Sequence, residues 1–400
     1  MALKIVHIAW QYGCCNTGGA AIAATRLHLA LLERGIDSHY LCLRQCESGT
    51  NVHRLFDYAK WFERLYSFPK IKALWYYFGL PMPAFGKIIK EIMPDVVHVH
   101  WLNNGGPSLG QIARVKRKIV VNLHDAWILT ANSPVPMKDI RFIDGYNNNN
   151  SSLVERFLFN RKAKFFRRVR PLVIGPSNWI CDVAQKSIVA RNCITKVISN
   201  IMDPLYFRPK AQIVHSKFTI IFGCYGGSKN RGKGFLELLS AINLLDSQIR
   251  SEIEVLVFGE AGDTVCINGF KIRYAGVISS AQGMKNVYAQ GDIFAFPSVS
   301  ETQGMTKVEA MLCGLPVVAF KRTACAEGIT HGHTGWIAND GDIVGYSLGI
   351  AHYYKRYKSG GIEHVRSIVQ REARKRFSIN KITTEMICMY ASLNEKGYSI

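Results

Sequence analysis

Two glutamates, Glu301 and Glu309, stand eight positions apart in the stretch SETQGMTKVEAMLCGLPVVAF at residues 300–320. An ionised carboxylate only accepts hydrogen bonds, so it suits the binding of hydroxyl groups. The segment DIFAFPS before them is typical of a buried strand and places Glu301 just past its carboxyl end. We predict a helix that starts within residues 304–307, with Glu309 in or near its first turn. Both carboxylates can then reach one bound molecule, although Glu309 alone would also stabilise a helix start.

The glycine-rich stretch GCYGGSKNRGKGF at residues 223–235 is a second candidate site, and it follows another apolar strand candidate. Backbone NH groups of glycines, a helix N-terminus and cations together favour the binding of an anion. Lys233 lies directly before Gly234 and a predicted helix, and Arg231 is a second cation. The alternative interpretation is a solvated basic hairpin loop.

Histidines near strand ends are a third set of candidates. His124 ends the strand candidate KIVVNLHD, and Asp125 follows it directly. His98 and His100 in DVVHVHW have the alternating spacing that places two side chains on one face of a strand. These two residues suit either packing in the interior or contact with a bound molecule.

The elements that must position these residues form two series. With 400 residues the chain exceeds what one hydrophobic core usually supports, so we expect two domains. Apolar strand candidates alternate with helical segments up to about residue 177 and again from residue 218, a pattern that predicts parallel α/β architecture. The stretch VISNIMDPLYFRP at residues 197–209 interrupts the pattern. We therefore expect two doubly wound, Rossmann-like domains that face each other across a cleft containing the active site.

The charge of the chain indicates an anionic partner, because 50 Lys and Arg residues oppose 29 Asp and Glu residues, for a net charge of +21. Residues 58–90 combine ten aromatic side chains with six basic ones, and residues 154–171 form a predicted amphipathic basic-aromatic helix. Both segments suit an anionic membrane surface. The alternative for residues 154–171 is an ordinary helix with a buried phenylalanine stripe. The predicted membrane-binding residues are Arg161, Lys162, Lys164, Arg167 and Arg168.

Other partners and locations receive less support from the sequence. We find no zinc finger, RNP-like strand or recognition helix, so we expect no nucleic-acid binding. The amino terminus lacks the order of a signal peptide, and no apolar run is long enough to span a membrane. The 11 cysteines are scattered without paired CxxC spacing, which favours reduced, structural thiols over a zinc site. We predict a cytoplasmic protein that is peripheral on the inner face of the cell membrane.

The stretch ETQGMTKVEAMLCGLPVVA resembles the run E-G-F-G-x-x-x-x-E-A-M-A-x-G-x-P-V-V-A of retaining family 4 glycosyltransferases of the GT-B fold. The resemblance extends along most of the chain. GGAAIAATRLHLALLERG is similar to the glycine loop and first helix of that family, VISNIMDPLYFRP to its hinge segment, and HGHTGWIAN to a later motif. NLHDAW and GPSNWICDVAQKS look closest to the branch that builds bacterial exopolysaccharides and antigens.

The resemblance implies roles for individual residues. Glu309 would bind the ribose hydroxyls of a nucleotide-sugar donor, Glu301 and His124 would face its sugar, and Lys233 would meet its diphosphate. The implied catalytic residues are His124, Glu301 and Lys233. The implied donor-binding residues are Gly18, Gly19, Arg231, Lys233, Glu301, Gly304, Met305, Thr306 and Glu309. The chain departs from the family where an arginine often follows the first glycine of the phosphate loop, since Cys224 stands there.

The resemblance also implies a domain organisation and an activity. Residues 1–200, completed by a carboxyl-terminal helix at about 381–397, would form the acceptor-side domain, and residues 201–380 the domain for the nucleotide sugar. The implied enzyme is a hexosyltransferase-like glycosyltransferase that retains anomeric configuration. It would take a UDP- or GDP-linked sugar and a saccharide or polyprenyl-linked acceptor in cell-surface polysaccharide biosynthesis. No DxD-type metal motif stands where such an enzyme would need it, so we expect neither a metal nor a cofactor.

Two other classes remain open. One is a carbohydrate or membrane-surface binding protein without catalysis on the same fold, against which the presence of Glu301, Glu309, Lys233 and His124 argues. The other is a GT-B epimerase or phosphorylase acting on a soluble substrate. A phosphorylase should carry a lysine context for pyridoxal phosphate, and a soluble enzyme would not need the basic-aromatic segments.

Overall fold

The computed structural model describes residues 3–13, 18–55, 82–102, 106–136, 139–147, 150–207, 216–224 and 226–395. Two compact units divide the chain: unit 1 contains residues 1–201 and 380–400, and unit 2 contains residues 202–379. The aromatic part of the basic-aromatic segment at residues 58–90 lies largely outside the described residues, which resume at residue 82.

Unit 1 is built on a parallel sheet with helices between the strands. Its strands are β1 (Lys4–Ile8), β2 (Gln11–Tyr12), β3 (Asp37–Cys42), β4 (Arg44–Gln45), β5 (Val52–Arg54), β6 (Val96–Val99), β7 (Lys118–Asn122), β8 (Leu172–Gly175) and β9 (Thr195–Val197). Its helices are α1 (Gly19–Glu33), α2 (Pro83–Ile92), α3 (Leu109–Ile112), α4 (Leu153–Val169) and α5 (Asn178–Lys186).

The main sheet of unit 1 has the order β5-β3-β1-β6-β7-β8-β9 among the described residues, while β2 and β4 pair separately. Strands β1 and β6 are parallel, and successive strands are added on one side of β1 up to β5 and on the other side from β6 onwards. The carboxyl ends of β1 and β6 are therefore the topological switch point, where ligands bind in such folds. Val6 and Ile8 of β1 enter the apolar core together with Val97 and Val99 of β6. Strand alternation therefore directs the neighbouring histidines of these two strands to the opposite face.

Unit 2 repeats this plan. Its strands are β10 (Phe218–Gly223), β11 (Ile253–Phe258), β12 (Val265–Ile267), β13 (Phe270–Tyr274), β14 (Ile293–Phe296), β15 (Val317–Phe320) and β16 (Gly335–Ala338). Its helices are α6 (Phe235–Asn243), α7 (Ser247–Ser251), α8 (Ala281–Tyr288), α9 (Met305–Leu312), α10 (Ile343–Lys358) and α11 (Ile362–Arg376). The last helix, α12 (Ile379–Glu395), belongs almost entirely to unit 1.

The sheet of unit 2 runs β12-β13-β11-β10-β14-β15-β16, and only the pair of β12 and β13 is antiparallel among the described strands. Its central strand β10 is buried on both faces, because Ile220 and Phe222 pack in one core cluster and Ile221 in another. Such double burial explains why the strand is mostly apolar, with Thr219 as its polar residue. The predicted α/β class with two doubly wound sheets is confirmed. No described helix combines the length and the apolar character needed to span a membrane.

Candidate functional site

The switch point of unit 2 brings two of the predicted site residues together. Strands β10 and β14 are parallel neighbours, and the loops that leave their carboxyl ends carry Lys233 and Glu301. The Nζ atom of Lys233 donates a hydrogen bond to Oε1 of Glu301 over 2.5 Å. A cation and a carboxylate that are distant in the sequence thus form one charged pair where this fold class binds ligands.

The surroundings of this pair keep the lysine charged. The two side chains are only 27% and 15% exposed, respectively. Burial acts to lower the pKa of Lys233, but the charge and the hydrogen bond of Glu301 outweigh it, so the net shift of this pKa is upward. Lys233 is therefore an ammonium ion throughout the physiological pH range.

Glycine at residue 234 allows the two loops to approach each other. Gly234 has a φ of +78°, and a Cβ atom there would lie 2.1 Å from the carbonyl oxygen of Pro297. The backbone NH of Val299 also donates to the carbonyl of Gly232 over 2.9 Å. Helix α6 begins directly after Gly234, which places Lys233 just before a helix N-terminus. Unpaired NH groups and the dipole at such an end favour anions.

A small pocket lies between the ends of β10 and β14. Its lining includes Cys224, Lys233, Ser298 and Thr306. Burial raises the pKa of the Cys224 thiol to about 11, so this residue supplies no charge in place of the usual arginine. Arg231 is exposed in the same loop, as is Lys229. The loop therefore offers two solvent-exposed cations beside the half-buried Lys233.

Glu309 occupies a different environment from Glu301. It is buried on α9, and the hydroxyl of Tyr288 donates to its Oε2 atom over 3.3 Å. Gly304, with a φ of +77°, precedes this helix and would clash with the Phe296 ring if it carried a Cβ atom. Met305 and Thr306 form the half-buried start of α9. The structure thus joins Glu301 to Lys233 and places Thr306 at their pocket, while Glu309 is held by Tyr288.

His124 lies two residues beyond β7 in unit 1, within a chain of imidazole rings. Its Nε2 atom is 3.1 Å from Nδ1 of His100 and 2.9 Å from Nδ2 of Asn122. Burial lowers the pKa of His124 to about 4, so the ring is neutral at pH 7. The neighbouring Asp125 accepts hydrogen bonds from the indole of Trp101 and the backbone NH of Trp127, each over 2.9 Å.

The predicted glycine pair lies at the start of α1. Gly18 is the N-cap residue and Gly19 the first helical residue, and both are exposed. Gly18 has extended backbone geometry, with a φ of −69°. Their position leaves the first NH groups of α1 accessible, as an anion-binding role would require.

Two family sequence models match this chain. The model described as Glycosyltransferase Family 4 matches residues 17–204, and the model described as Glycosyl transferases group 1 matches residues 219–355. Together they cover most of both units, including Lys233 and both glutamates. The chain belongs to the glycosyltransferases, with a family 4 domain in unit 1 and a group 1 domain in unit 2.

Similar proteins agree with this family membership. This glycosyltransferase is 28% identical over 181 residues to O-antigen chain mannosyltransferase B of Escherichia coli, a match that covers 43% of the chain and 46% of the relative. The chain matches less than half the length of the curated relatives it resembles.

Solved structures extend the likeness to nearly the full chain. Sucrose-phosphate synthase of Thermosynechococcus elongatus aligns with a TM-score of 0.68 at 15% identity and covers 98% of this chain and 99% of its own. HepE of Anabaena, solved with UDP and glucose, aligns with a TM-score of 0.62 at 18% identity and covers 98% and 100%. At these identities the likeness concerns the fold, and it confirms the predicted GT-B class.

The basic-aromatic helix of this glycosyltransferase requires one correction. Helix α4 exposes Lys164, Arg167 and Arg168 and leaves Arg161 half-buried over the Phe157 ring, but Lys162 is only 3% exposed. The Nζ atom of Lys162 donates to the carbonyl oxygens of Trp127, Thr130 and Ala131 at 2.6, 3.0 and 3.0 Å. The prediction of Lys162 as a membrane-binding residue is wrong, because its ammonium group is committed to the interior of unit 1.

A second buried lysine of this glycosyltransferase was not identified from the sequence. Lys307 is on α9 and lies between Glu301 and Glu309 in the sequence. Its Nζ atom donates to the carbonyl oxygens of Ala324, Cys325 and Glu327 at 2.8, 3.1 and 2.8 Å. Burial lowers its pKa to about 8. The backbone NH of Ala324 in turn donates to the carbonyl of Glu301 over 3.2 Å. Lys307 thus fixes the segment that supports Glu301, and nothing in the local sequence distinguishes it from a solvated lysine.

Proposed function

We propose that the protein transfers a sugar, with retention of anomeric configuration, from a UDP- or GDP-linked donor to a saccharide acceptor. The acceptor is carried on a polyprenyl lipid, and the product is a cell-surface polysaccharide. Unit 2 binds the nucleotide sugar and unit 1 serves the acceptor. Family membership supports the reaction class, and the names of the Escherichia coli relative and of an amylovoran biosynthesis glycosyltransferase of Erwinia amylovora support the pathway class.

The contact between Lys233 and Glu301 carries this proposal. A permanently charged lysine next to the N-terminus of α6 suits the developing charge of a departing nucleoside diphosphate. Lys233 lines the pocket at the ends of β10 and β14 and holds Glu301, whose carboxylate can accept hydrogen bonds from a donor sugar. HepE of Anabaena was solved in complex with UDP and glucose, which supports a nucleotide-sugar donor for this fold.

The proposed reaction needs three contributions from the chain. Lys233 and Arg231 neutralise the leaving diphosphate, a task that a divalent cation performs in other enzymes. His124 offers a neutral ring in unit 1 for contact with a sugar. The acceptor hydroxyl attacks from the face that the diphosphate leaves, through an oxocarbenium-like state, and the departing phosphate oxygen takes the proton of the acceptor.

A screen of nucleotide sugars tests this function directly. The preferred donor should raise the melting temperature, because a ligand that binds only the folded state stabilises it by mass action. The same donor should then be consumed by transfer or slow hydrolysis, which a carbohydrate-binding protein without catalysis would not perform. Stabilisation without any turnover in the presence of varied saccharide acceptors would favour that binding protein instead.

The two glutamates should differ in their kinetic roles. We expect Glu309→Ala to raise the KM for the donor by about tenfold with a small effect on kcat, because one buried hydrogen bond of a charged group is lost. Glu301→Ala should lower kcat by about tenfold or more. Tyr288→Phe is the matched control for Glu309, since it removes only the hydroxyl that holds the carboxylate. Wild-type kinetics in a folded double variant would refute both assignments.

The outer face of α4 supports peripheral attachment to an anionic membrane. Its first turns expose the apolar residues Leu153, Val154 and Phe157 at 82%, 57% and 47%. An ion pair of 2.9 Å between Arg141 and Glu155 ties the preceding turn to this helix, and that turn exposes Ile140. Lys164, Arg167 and Arg168 are exposed further along. Exposed apolar side chains beside basic ones suit insertion between anionic headgroups.

Vesicle sedimentation tests this attachment. The wild-type protein should bind vesicles that contain anionic lipid, and binding should weaken as salt screens the surface charges. The triple variant Lys164→Gln, Arg167→Gln, Arg168→Gln should lose at least about tenfold in affinity, since each residue contributes up to about 1 kcal/mol. The control replaces Lys355, Arg356 and Lys375, which are exposed on unit 2, by glutamine. Equal losses in both variants would show that only the net charge matters.

A further inference from the structure

Three buried histidines of unit 1 converge on the face of the sheet opposite the apolar core. His7 on β1 is the direct register partner of His98 on β6, and His100 follows two residues later. His7 and His98 are 0% exposed and His100 is 5% exposed. Each ring offers a nitrogen that lies within 4.8 Å of the others. The set therefore contains three potential ligand atoms at the topological switch point of unit 1.

The hydrogen bonds of these rings leave specific nitrogens available. Nδ1 of His7 is 3.0 Å from Nε2 of His100, and Nδ1 of His98 is 2.6 Å from the hydroxyl of Tyr390. Within the described part of the chain, Nε2 of His7 and Nε2 of His98 have no hydrogen-bond partner although both are buried. Buried polar atoms without partners are rare in folded proteins, so two in one cluster indicate a group that occupies the site.

We propose that His7, His98 and His100 bind one transition-metal ion of the Zn²⁺ class. Imidazole nitrogen is a preferred ligand of zinc, and catalytic zinc sites use three protein ligands with one open position. Two nitrogens bound tetrahedrally to one zinc ion lie about 3.3 Å apart, given bonds of about 2.0 Å. The contact of 3.0 Å between His7 and His100 is close to that spacing.

The protonation state of the rings suits a metal. Burial lowers the pKa of His98 to about 3 and lowers the pKa values of His7 and His100 well below their ordinary value. Nearby histidines lower them further through charge repulsion. All three rings are therefore neutral at pH 7, which is the form that coordinates a metal.

The residues around the cluster provide an outer shell and an opening. Metal-bound histidines commonly donate their other ring NH to a fixed partner. Tyr390 of α12 is positioned to accept from His98, and His124 to accept from His100 over 3.1 Å. A small pocket lined by His100, Asn122 and Asn200 reaches the cluster. This pocket gives a water-derived hydroxide or another anion access to the fourth position, where it offsets the charge of the ion.

A hydrogen-bonded imidazole cluster without metal is the competing explanation. It accounts for the contact between His7 and His100, because one neutral ring can donate to the other. It leaves Nε2 of both His7 and His98 buried without a partner among the described residues. A metal ion bound by Nδ1 of His7 and by Nε2 of His98 and His100 gives the buried Nε2 atom of His98 a partner. The two explanations therefore differ in a property that can be measured without any substrate.

Metal content and cobalt spectroscopy of the full chain test the proposal. Protein purified without added metal is stripped by a strong chelator and then titrated with Zn²⁺ or Co²⁺. We expect one ion per chain, a rise in melting temperature on binding, and the intense visible absorption of tetrahedral Co²⁺. A wild-type protein that binds no Zn²⁺ or Co²⁺ after stripping overturns the proposal. This readout is independent of glycosyl transfer, so failure of the metal site and failure of the proposed function are distinguishable.

Variants locate the ion. His98→Gln and His100→Gln should each weaken Co²⁺ binding by at least about a hundredfold and abolish the tetrahedral absorption. His28→Gln is the matched control, because His28 is also 0% exposed in unit 1 and instead bonds Ser38 and the carbonyl of Thr50. Retention of wild-type Co²⁺ absorption in both the His98→Gln and the His100→Gln protein would place the metal elsewhere and overturn the assignment. Where one of these two variants fails to fold, the wild-type titration alone decides.

Discussion

Replacing Lys233 by alanine should lower kcat/KM for the donor by at least about a hundredfold. The ammonium group is the one cation of the glycine-rich loop that is half-buried beside the strand ends, where a positive charge is worth more than in water. Steady-state kinetics with a saturating acceptor measure the effect. Lys229→Ala is the matched control, because Lys229 is exposed in the same loop and its removal should change kcat/KM by less than about threefold.

A double-mutant cycle separates two roles for Lys233. If the lysine acts on the diphosphate, Lys233→Ala should remain severely impaired when Glu301 is already glutamine. If the lysine only positions Glu301, the second substitution should add little to the first, since contacting residues give non-additive effects. Near wild-type turnover of the folded Lys233→Ala protein would contradict both roles and remove the main support for the proposed donor site.

Much of the fold was predictable from the sequence, because strand alternation and apolar runs are local signals. Strand β10 is buried at every position and carries four large apolar side chains, and its carboxyl end is marked by glycines. The contact of Lys233 with Glu301 follows from that topology, since neighbouring parallel strands bring their following loops together. Edge elements such as β9 and β12 were not predicted, because a strand of three residues is too short to show a periodic pattern.

The histidine cluster and the buried lysines could not be predicted in the same way. The HVH spacing predicted that His98 and His100 share a face, and their ring centroids are 4.1 Å apart, so this prediction is confirmed. Their third partner, His7, is about ninety residues away and becomes a neighbour only because β1 pairs with β6. Lys162 looks like its exposed neighbours in sequence, and only the carbonyl groups of residues 127–131 distinguish it. Partners that come from distant segments leave no local signal.

Substitution of Lys162 by alanine should destabilise unit 1 severely. The change removes the ammonium donor from the carbonyl oxygens of Trp127, Thr130 and Ala131, and the lost ammonium group also lies 3.7 Å from the centre of the Trp127 ring. Removing one partner from such a buried polar arrangement costs about 3–5 kcal/mol. For a unit of this size we expect a fall of about 10 °C in the melting temperature.

Comparison with two further variants identifies the cause of this loss. Lys162→Met keeps most of the side-chain volume, so it should be nearly as unstable if the hydrogen bonds matter more than packing. Lys164 is exposed on the same helix, so the Lys164→Ala protein should melt within about 2 °C of the wild type.

The stability contributed by Lys162 should also depend on pH. Burial lowers the pKa of Lys162 in the folded state, so above that pKa unfolding takes up a proton. The wild type should therefore gain stability relative to Lys162→Met as the pH rises towards the ordinary lysine value of about 10.4. Equal melting temperatures for the wild type and Lys162→Ala would mean that the ammonium group faces solvent. Lys162 would then be one of the exposed basic residues of α4, as the sequence predicted.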